Sequence, residues 1–421
     1  MAEYGLIGKT LSHSFSKPIH EQLGGYSYEL LPMNSDELDR FLTEKNFRAV
    51  NVTIPYKETV IPYCDELDEH AAAIGAVNTI VNENGRLIGH NTDFAGMMAL
   101  VRAVGANVQG AHVLILGSGG TCKTASAVMQ SLGAASITVA SRSNKPGTVS
   151  YEQAQTLSQI QIIVNASPAG MYPNNTQENF PLSRFKQLQT VIDVVYNPIR
   201  TNLVLEAQSR GIPAIGGLLM LVAQAKYAAD YFLAKTLPEE QIDAVYDAMI
   251  KEKKNLVLCG MPMSGKTTIG KRLAKTMHRR FVDLDEEIVK REGKSIPEIF
   301  DTVGESGFRT IEAEVVREWS KETGCLISCG GGTVLSQENV RALLQNGEIC
   351  LIDRPLSLLS VGEGRPLTKS MAEVSALYDA RMPVYRACCT FSVRNDADLS
   401  AVCQKIEEKF YETACTKRAE S

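Results

Sequence analysis

Almost from end to end, short apolar runs alternate with longer stretches in which apolar residues return every three or four positions. Runs of the first kind read as buried strands and stretches of the second as amphipathic helices, so the pattern predicts α/β layers. Two of the apolar runs lead straight into glycine-rich loops. His112-Val113-Leu114-Ile115-Leu116 precedes Gly117-Ser118-Gly119-Gly120, and Asn255-Leu256-Val257-Leu258-Cys259 precedes Gly260-Met261-Pro262-Met263-Ser264-Gly265-Lys266-Thr267. A strand, a glycine turn and a helix start make an anion site, because free backbone N–H groups and the helix dipole both favour phosphate. Two such sites predict two nucleotide-binding domains. Between them Glu239 to Lys254 is polar and helical and ends in Lys251-Glu252-Lys253-Lys254, which reads as a solvated helix end at a domain boundary. No repeat at a fixed period and no low-complexity segment interrupts this plan.

Composition narrows the choice. A chain of 421 residues suggests two or three domains, and 44% hydrophobic with 22% charged residues gives each an ordinary core. The net charge of -5 argues against general binding to nucleic acid or anionic membranes, so small anionic ligands must be caught by local sites. No apolar run approaches the roughly 18 to 20 residues that span a bilayer. The start, Met1-Ala2-Glu3-Tyr4-Gly5, lacks the basic and apolar regions of a signal peptide. Ten cysteines form no Cys-x-x-Cys, their closest groupings being Cys325 with Cys329 and Cys388 with Cys389, and only six histidines accompany them. That excludes a zinc motif and suits a reducing compartment, so the expected location is cytoplasmic.

In the first half, Gly117-x-Gly119 alone is a weak signal, and Cys122 stands where a dinucleotide fingerprint would place its third glycine. A second strand, Ser136 to Ala140, ends in Ser141-Arg142-Ser143 at the position where the ribose is read. An NAD enzyme would place Asp or Glu there. An arginine between two hydroxyls suits a 2′-phosphate instead, so the expected cofactor is NADP, held by Gly117, Ser118, Gly119, Gly120, Thr121, Ser141, Arg142 and Ser143. Upstream lie Ser12-His13-Ser14-Phe15-Ser16-Lys17-Pro18, a strand-like Asn51-Val52-Thr53-Ile54-Pro55-Tyr56-Lys57, Ala76-Val77-Asn78-Thr79 and Asn91-Thr92-Asp93. Taken singly these are ordinary, a loop lysine or a helix cap. As a set they fit a polyhydroxylated, anionic small molecule.

These segments, in this order, with Asn165-Ala166-Ser167-Pro168-Ala169-Gly170-Met171 and Gly217-Leu218-Leu219-Met220-Leu221-Val222-Ala223-Gln224, resemble the shikimate dehydrogenase family over residues 1 to about 245. The resemblance implies that Ser14, Ser16, Thr53, Asn78, Tyr196 and Gln224 hold shikimate, with Gly217 beside the nicotinamide. It implies Lys57 and Asp93 as the catalytic pair. Hydride addition to a ketone creates an alkoxide that needs a proton and a nearby positive charge; Lys57 offers both, and Asp93 orients it. No metal is required. Two departures stand out: no second basic residue follows Arg142 at the usual place, and Asn144-Lys145-Pro146-Gly147 turns away before a full helix.

In the second half, Gly260-x-x-x-x-Gly265-Lys266-Thr267 is a strong phosphate-loop signal. Backbone N–H groups from Gly260 through Thr268, Met263 and Ser264 included, wrap the phosphates of ATP, Lys266 reaches toward the β and γ groups, and Thr267 ligates Mg²⁺. Phe281-Val282-Asp283-Leu284-Asp285 reads as a strand end with two aspartates on one face. Arg309 and Glu312 share a helix face. Cys329-Gly330-Gly331-Gly332 allows close backbone approach, and Arg381 adds a second arginine, a set suited to a substrate bearing a carboxylate and hydroxyls. Residues 254 to about 412 resemble shikimate kinase. The resemblance implies that Asp283 helps hold Mg²⁺, Asp285 accepts the 3-hydroxyl proton, Arg309 and Arg381 clamp the carboxylate, Gly331 touches the ring and Glu312 orients Arg309. Gly364-Arg365-Pro366-Leu367 resembles the lid, with Arg365 over ATP, although the lid is short. Cys329 replaces a hydroxyl residue.

The expected fold is therefore α/β throughout: a shikimate-binding domain over 1–95 completed by 217–250, a Rossmann-like NADP domain over 96–216, and a phosphate-loop kinase domain with a parallel sheet over 251–421. The product of the first reaction would be the substrate of the second. Two rivals stand beside this reading: a regulator that binds the intermediates without turnover, and a quinate dehydrogenase joined to another small-molecule kinase. The expected partners are small molecules, with no nucleic acid and no membrane. Transfer of shikimate between sites and oligomeric state stay open.

Overall fold

The computed structural model describes residues 3–11, 14–143, 145–172, 175, 180–359 and 370–416. The chain divides into two compact units, residues 1–249 and 250–420. Each is an α/β unit.

The described residues of the first unit form two sheets. Six strands, β1 (Tyr4–Gly8), β2 (Glu29–Pro32), β3 (Ala49–Val52), β4 (Glu66–Leu67), β5 (Thr79–Glu83) and β6 (Arg86–His90), lie in the order β2-β1-β3-β5-β6-β4. Only β5 runs against its neighbours, and it pairs Asn51 with Thr79 and Thr79 with His90. The strand expected to reach Lys57 leaves the sheet at Val52. Thr53 N–H still bonds Ile7, after which Pro55 offers no donor and Tyr56 N–H turns back to Thr53. The helix that begins at Ser16 is anchored by His20, fully buried against the Tyr28 ring at 4.1 Å, with Nδ1 2.7 Å from the Tyr26 hydroxyl. Burial pushes its pKa down to about 3, so it packs as a neutral ring.

Five parallel strands, β7 (His112–Leu116), β8 (Ser136–Ala140), β9 (Ile162–Asn165), β10 (Thr190–Asp193) and β11 (Ala214–Ile215), form the second sheet in the order β11-β10-β9-β7-β8. After β8 the order reverses across β7, so the loops following β7 and β9 border the crevice where such sheets bind ligands. Behind them Leu114, Leu116, Ile163 and Val191 are fully or almost fully buried; each contributes roughly 1.5–3 kcal/mol.

The second unit has one parallel sheet, β12 (Asn255–Cys259), β13 (Arg280–Asp283), β14 (Cys325–Ser328), β15 (Gly347–Asp353) and β16 (Phe391–Arg394), ordered β13-β14-β12-β15-β16. Here too the reversal falls at the first strand, the one that leads into the phosphate loop. Helical residues Ile296–Trp319 are two helices joined at Gly304, whose φ of 71° and ψ of 179° break the run. Trp319 receives the Arg280 guanidinium 4.4 Å over its ring. No helix among the described residues is long and apolar enough to cross a membrane.

Candidate functional site

In the first unit polar side chains converge from the loops after β1, β3, β6 and β10, from Asn78 just before β5 and from Gln224 on the helix Leu218–Leu233. Lys57 Nζ donates to Asp93 Oδ2 at 2.5 Å, and both side chains are largely withdrawn from water, 17% and 8% exposed. Asp93 opens the helix Asp93–Ala103, so the dipole of that helix favours its negative charge. Asn78 is the hub of the group. Its Nδ2 reaches Thr92 Oγ1 at 2.9 Å, Asp93 Oδ1 at 3.0 Å and Gln224 Oε1 at 3.3 Å, while its Oδ1 accepts Thr92 N–H at 2.7 Å. Gln224 lies 146 residues away in sequence and arrives because two helices pack closely. A Cβ at Gly96 would stand 2.8 Å from Met220 O and 3.0 Å from Gln224 Cβ, so only glycine permits that approach. Neither Gly96 nor the buried Thr92 hydroxyl stands out in the sequence, where an Asn-Thr-Asp run reads as a cap.

A second group forms around Ser14. Its Oγ donates to Ser16 Oγ at 3.1 Å and accepts Ser16 N–H, and the half-buried Tyr196 ring lies 5.4 Å from the ring of the intervening Phe15. Burial raises the Tyr196 pKa, keeping it a neutral donor and acceptor. Ser12 and His13 lie outside the described residues. Thr53 packs its methyl group over Gly8, where a Cβ would come within 2.7 Å of it.

At the crevice of the second sheet, Gly117 has φ of +103° and presses on Ser167, 2.7 Å from where its Cβ would be. Gly119 and Gly120 open the helix Gly120–Ser131, and a Cβ on either would meet nothing within 4 Å. Their bareness leaves room for an approaching ligand at a helix N-terminus, with Thr121 following in the same turn. Cys122 is a buried residue of that helix. Ser118 Oγ lies 2.8 Å from Ser141 Oγ, which lies 3.1 Å from Ser143 Oγ. Arg142 is exposed beside them. Lys145 Nζ donates to Ser118 O at 3.1 Å, which brings a basic group beside these serines. Among the described residues a short helix, Tyr151–Ala154, follows, and Asn144 lies outside them. Gly217 is glycine for a backbone reason, since a Cβ there would strike Val194 O at 2.0 Å.

In the second unit the loop after β12 closes on Lys266, whose Nζ donates to Gly260 O at 3.0 Å and Met261 O at 2.9 Å. Gly260 (φ +140°) and Gly265 (φ +93°) take the left-handed backbone that the turn demands, and Met263 adopts φ of +63° with an exposed side chain. Ser264 is buried, its carbonyl held by Asn395 Nδ2 at 2.8 Å, and Thr268 is exposed on the first turn of the helix. Thr267 Oγ1 donates to Asp283 Oδ2 at 2.9 Å. The two aspartates are not neighbours on one strand face. Asp283 ends β13 and caps the helix Leu284–Glu292, its Oδ1 accepting Asp285 N–H at 3.1 Å, so Asp285 sits in the first turn. Capping satisfies an otherwise free helix N–H, and this local gain overrides strand alternation.

The three glycines after Cys329 draw the rest together. A Cβ at Gly330 would stand 2.5 Å from Asp285 Oδ1, at Gly331 3.1 Å from an Arg381 nitrogen, and at Gly332 2.4 Å from the Arg309 guanidinium. Arg309 Nη1 donates to Glu312 Oε2 at 2.8 Å, and Thr333 Oγ1 donates to the other oxygen at 2.8 Å. Burial works against the Arg309 charge, but Glu312 and Glu305 outweigh it and raise the pKa. Tyr385 OH donates to Gly331 O at 2.5 Å, and burial carries its pKa up to about 12. Cys329 is buried, and its thiol is pushed up for the same reason. Arg365 and the rest of 360–369 lie outside the described residues.

Comparison with known proteins follows this division. Residues 6–80 match the shikimate dehydrogenase substrate binding domain model and residues 262–411 the shikimate kinase model. The shikimate dehydrogenase (NADP(+)) of Staphylococcus epidermidis is 34% identical over 269 residues, covering 60% of this chain and 98% of the relative. Among solved structures, shikimate dehydrogenase 1 of Peptoclostridium difficile is 30% identical with a TM-score of 0.55, covering 59% of this chain and 98% of that one. The shikimate 5-dehydrogenase of Thermus thermophilus, solved with NADP(H) and shikimate, is 27% identical with a TM-score of 0.53, covering 59% and 99%. The chain belongs to the shikimate dehydrogenase family through its first unit and carries a shikimate kinase domain in its second, two enzymes of one pathway in a single polypeptide.

Proposed function

We propose that the chain catalyses two consecutive steps in the cytoplasm, NADPH-dependent reduction of 3-dehydroshikimate to shikimate and Mg²⁺- and ATP-dependent phosphorylation of shikimate at its 3-hydroxyl. The observation that carries the reading is that each unit gathers a substrate set around one reactive group: Lys57 with Asp93, Asn78 and Gln224 in the first, Asp285 with Arg309 and Arg381 in the second.

NADPH, when bound, supplies the hydride. Lys57 holds the ketone oxygen, neutralises the alkoxide as it forms and gives it a proton from Nζ. Asp93, fixed by Asn78, keeps Lys57 Nζ aimed at that oxygen. Ser14, Ser16, Thr53, Tyr196 and Gln224 supply hydroxyl and amide contacts for the ring substituents, with Gly217 bordering the nicotinamide. Arg142 and Lys145 stand where a 2′-phosphate would need two positive charges.

ATP, when bound, supplies the γ-phosphoryl group. Lys266 would turn from the Gly260 and Met261 carbonyls to the phosphates, and Thr267 with Asp283 would hold Mg²⁺, which would supply positive charge beside them. Asp285 takes the hydroxyl proton while Arg309 and Arg381 grip the carboxylate; Glu312 keeps Arg309 turned inward. Arg365 would cover ATP.

The test is a coupled assay on the purified chain with 3-dehydroshikimate, NADPH and MgATP. Oxidation of NADPH together with release of ADP and accumulation of shikimate 3-phosphate is expected. Shikimate as the end product would refute the second half, and no NADPH oxidation the first.

A further inference from the structure

A row of hydrogen bonds runs behind the Lys57–Asp93 pair, and every donor in it points toward Asp93. The Tyr28 hydroxyl donates to Asn51 Oδ1 at 2.7 Å, and Asn51 Nδ2 donates to Thr79 Oγ1 at 3.0 Å. Thr79 Oγ1 donates to Asn78 Oδ1 at 3.2 Å, and Asn78 Nδ2 donates to Asp93 Oδ1 at 3.0 Å. Tyr28 and Thr79 are fully buried, Asn51 and Asn78 nearly so. The antiparallel register of β3 and β5 sets Asn51 opposite Thr79, so the sheet itself delivers the middle of the row.

Two backbone groups fix its direction. Asn51 Nδ2 also reaches Asn78 O at 3.3 Å, and a carbonyl can only accept, so this amide must turn its oxygen to Tyr28. Asn78 Oδ1 accepts Thr92 N–H at 2.7 Å, so the second amide must turn its nitrogen to Asp93. The Thr79 hydroxyl accepts from Asn51 and keeps its proton for Asn78 Oδ1, which is nearer than Thr92 Oγ1 at 3.4 Å. The far end is anchored as well. The Tyr28 ring stacks on His20 at 4.1 Å, and Lys17 Nζ donates to Tyr28 O at 2.7 Å. Burial raises the Tyr28 pKa well above the usual phenol value, so its hydroxyl stays a donor.

We propose that Tyr28 and Thr79 are positioning residues of the dehydrogenase, acting through Asn51 and Asn78 to hold an amide N–H against Asp93. No proton moves along the row; it orders dipoles, and in a buried setting each bond strengthens the next. An Asn78 amide turned over would set its oxygen against a carboxylate oxygen, and the repulsion would push Asp93 off Lys57. The inference rests on the reading of Lys57 and Asp93 as the catalytic pair.

The experiment measures steady-state NADPH oxidation with 3-dehydroshikimate on the full chain. It compares the parent with Thr79→Val, Thr79→Ser, Tyr28→Phe, the Tyr28→Phe/Thr79→Val double variant and Lys57→Ala. Valine keeps the shape of threonine without the hydroxyl, and phenylalanine keeps the ring on His20. In Thr79→Val kcat should fall roughly three- to tenfold, the value of one hydrogen bond, with the KM for NADPH unchanged. Thr79→Ser, which restores the hydroxyl, should stay near the parent. Tyr28→Phe should lower kcat in the parent and cost nothing further once Thr79 is valine, because the row is already broken. Parental kcat in Thr79→Val, a Thr79→Ser as slow as Thr79→Val, or losses that simply multiply in the double variant would each overturn the proposal. If Thr79→Val does not fold, Tyr28→Phe decides alone: a lower kcat at unchanged KM for NADPH supports the row, and parental kcat overturns it. A Lys57→Ala variant as fast as the parent overturns the catalytic pair and this proposal with it. An inactive Lys57→Ala beside a parental Thr79→Val overturns the row alone.

Discussion

Asp193→Asn tests how a buried carboxylate shapes the dehydrogenase unit. Asp193 ends β10 and is fully buried. Its Oδ1 accepts from Asn165 Nδ2 at 2.9 Å and Val195 N–H at 3.0 Å, and its Oδ2 accepts from Thr201 Oγ1 at 2.6 Å. It thus ties the loop after β9 to the segment that carries Tyr196. Burial raises its pKa from 3.8 to about 7, the three donors offsetting only part of the cost. The folded state therefore binds the proton more tightly than the unfolded one. Its contribution is most favourable below pH 3.8 and is lost as pH rises to about 7, after which it is flat. The whole shift corresponds to on the order of 4 kcal/mol.

Asparagine carries no titratable proton and keeps an oxygen for Asn165 and Val195, while the Thr201 hydroxyl can turn to accept from its amide. Parent and variant should thus be similar near pH 4, and the variant should gain on the parent through pH 7. The two units need not unfold together, so a global melt mixes transitions. Hydrogen exchange read on a peptide spanning 190–201, parent against variant at each pH, isolates the effect. NADPH oxidation should persist in Asp193→Asn and fall in Asp193→Ala, which releases the Tyr196 segment. A parent that stays level with the variant, or gains on it, from pH 5 to 8 would show that the donors outweigh burial and the carboxylate is ionised throughout.

Lys57→Ala should slow NADPH oxidation roughly 10²- to 10⁴-fold and spare shikimate-dependent ATP use, with Lys266→Ala doing the reverse; loss of both activities in either correctly folded variant contradicts two independent sites. The parent should favour NADPH over NADH by at least roughly tenfold in kcat/KM, and Arg142→Ala or Lys145→Ala should each shrink that ratio, since a charged hydrogen bond is worth about 1.5–3 kcal/mol. Equal use of both cofactors by the parent refutes that assignment. Gly332→Ala should raise the KM for shikimate and leave that for ATP alone, because the new methyl displaces Arg309 and not the phosphate loop; an unchanged shikimate KM removes Arg309 from the clamp.

The sequence by itself determined the local elements. His112–Leu116 and Asn255–Cys259 are strands with the bounds their apolar runs suggest, and each opens into a glycine loop and a helix. These features are local: strand alternation, helix period and the need of a tight turn for φ above zero act within a few residues, so a reader of the chain sees them. The ordered motifs likewise made the family legible, because many short matches in one order are hard to meet by chance.

The tertiary structure decided which of those residues meet. Asn78 as hub, Gly96 as the point of helix contact, Lys145 beside Ser118 and Thr333 on Glu312 depend on approaches between segments far apart in sequence. Such contacts are set by packing of whole elements, which no single window contains. Asp283 and Asp285 parted for a local reason instead, a cap bond that outweighed strand alternation.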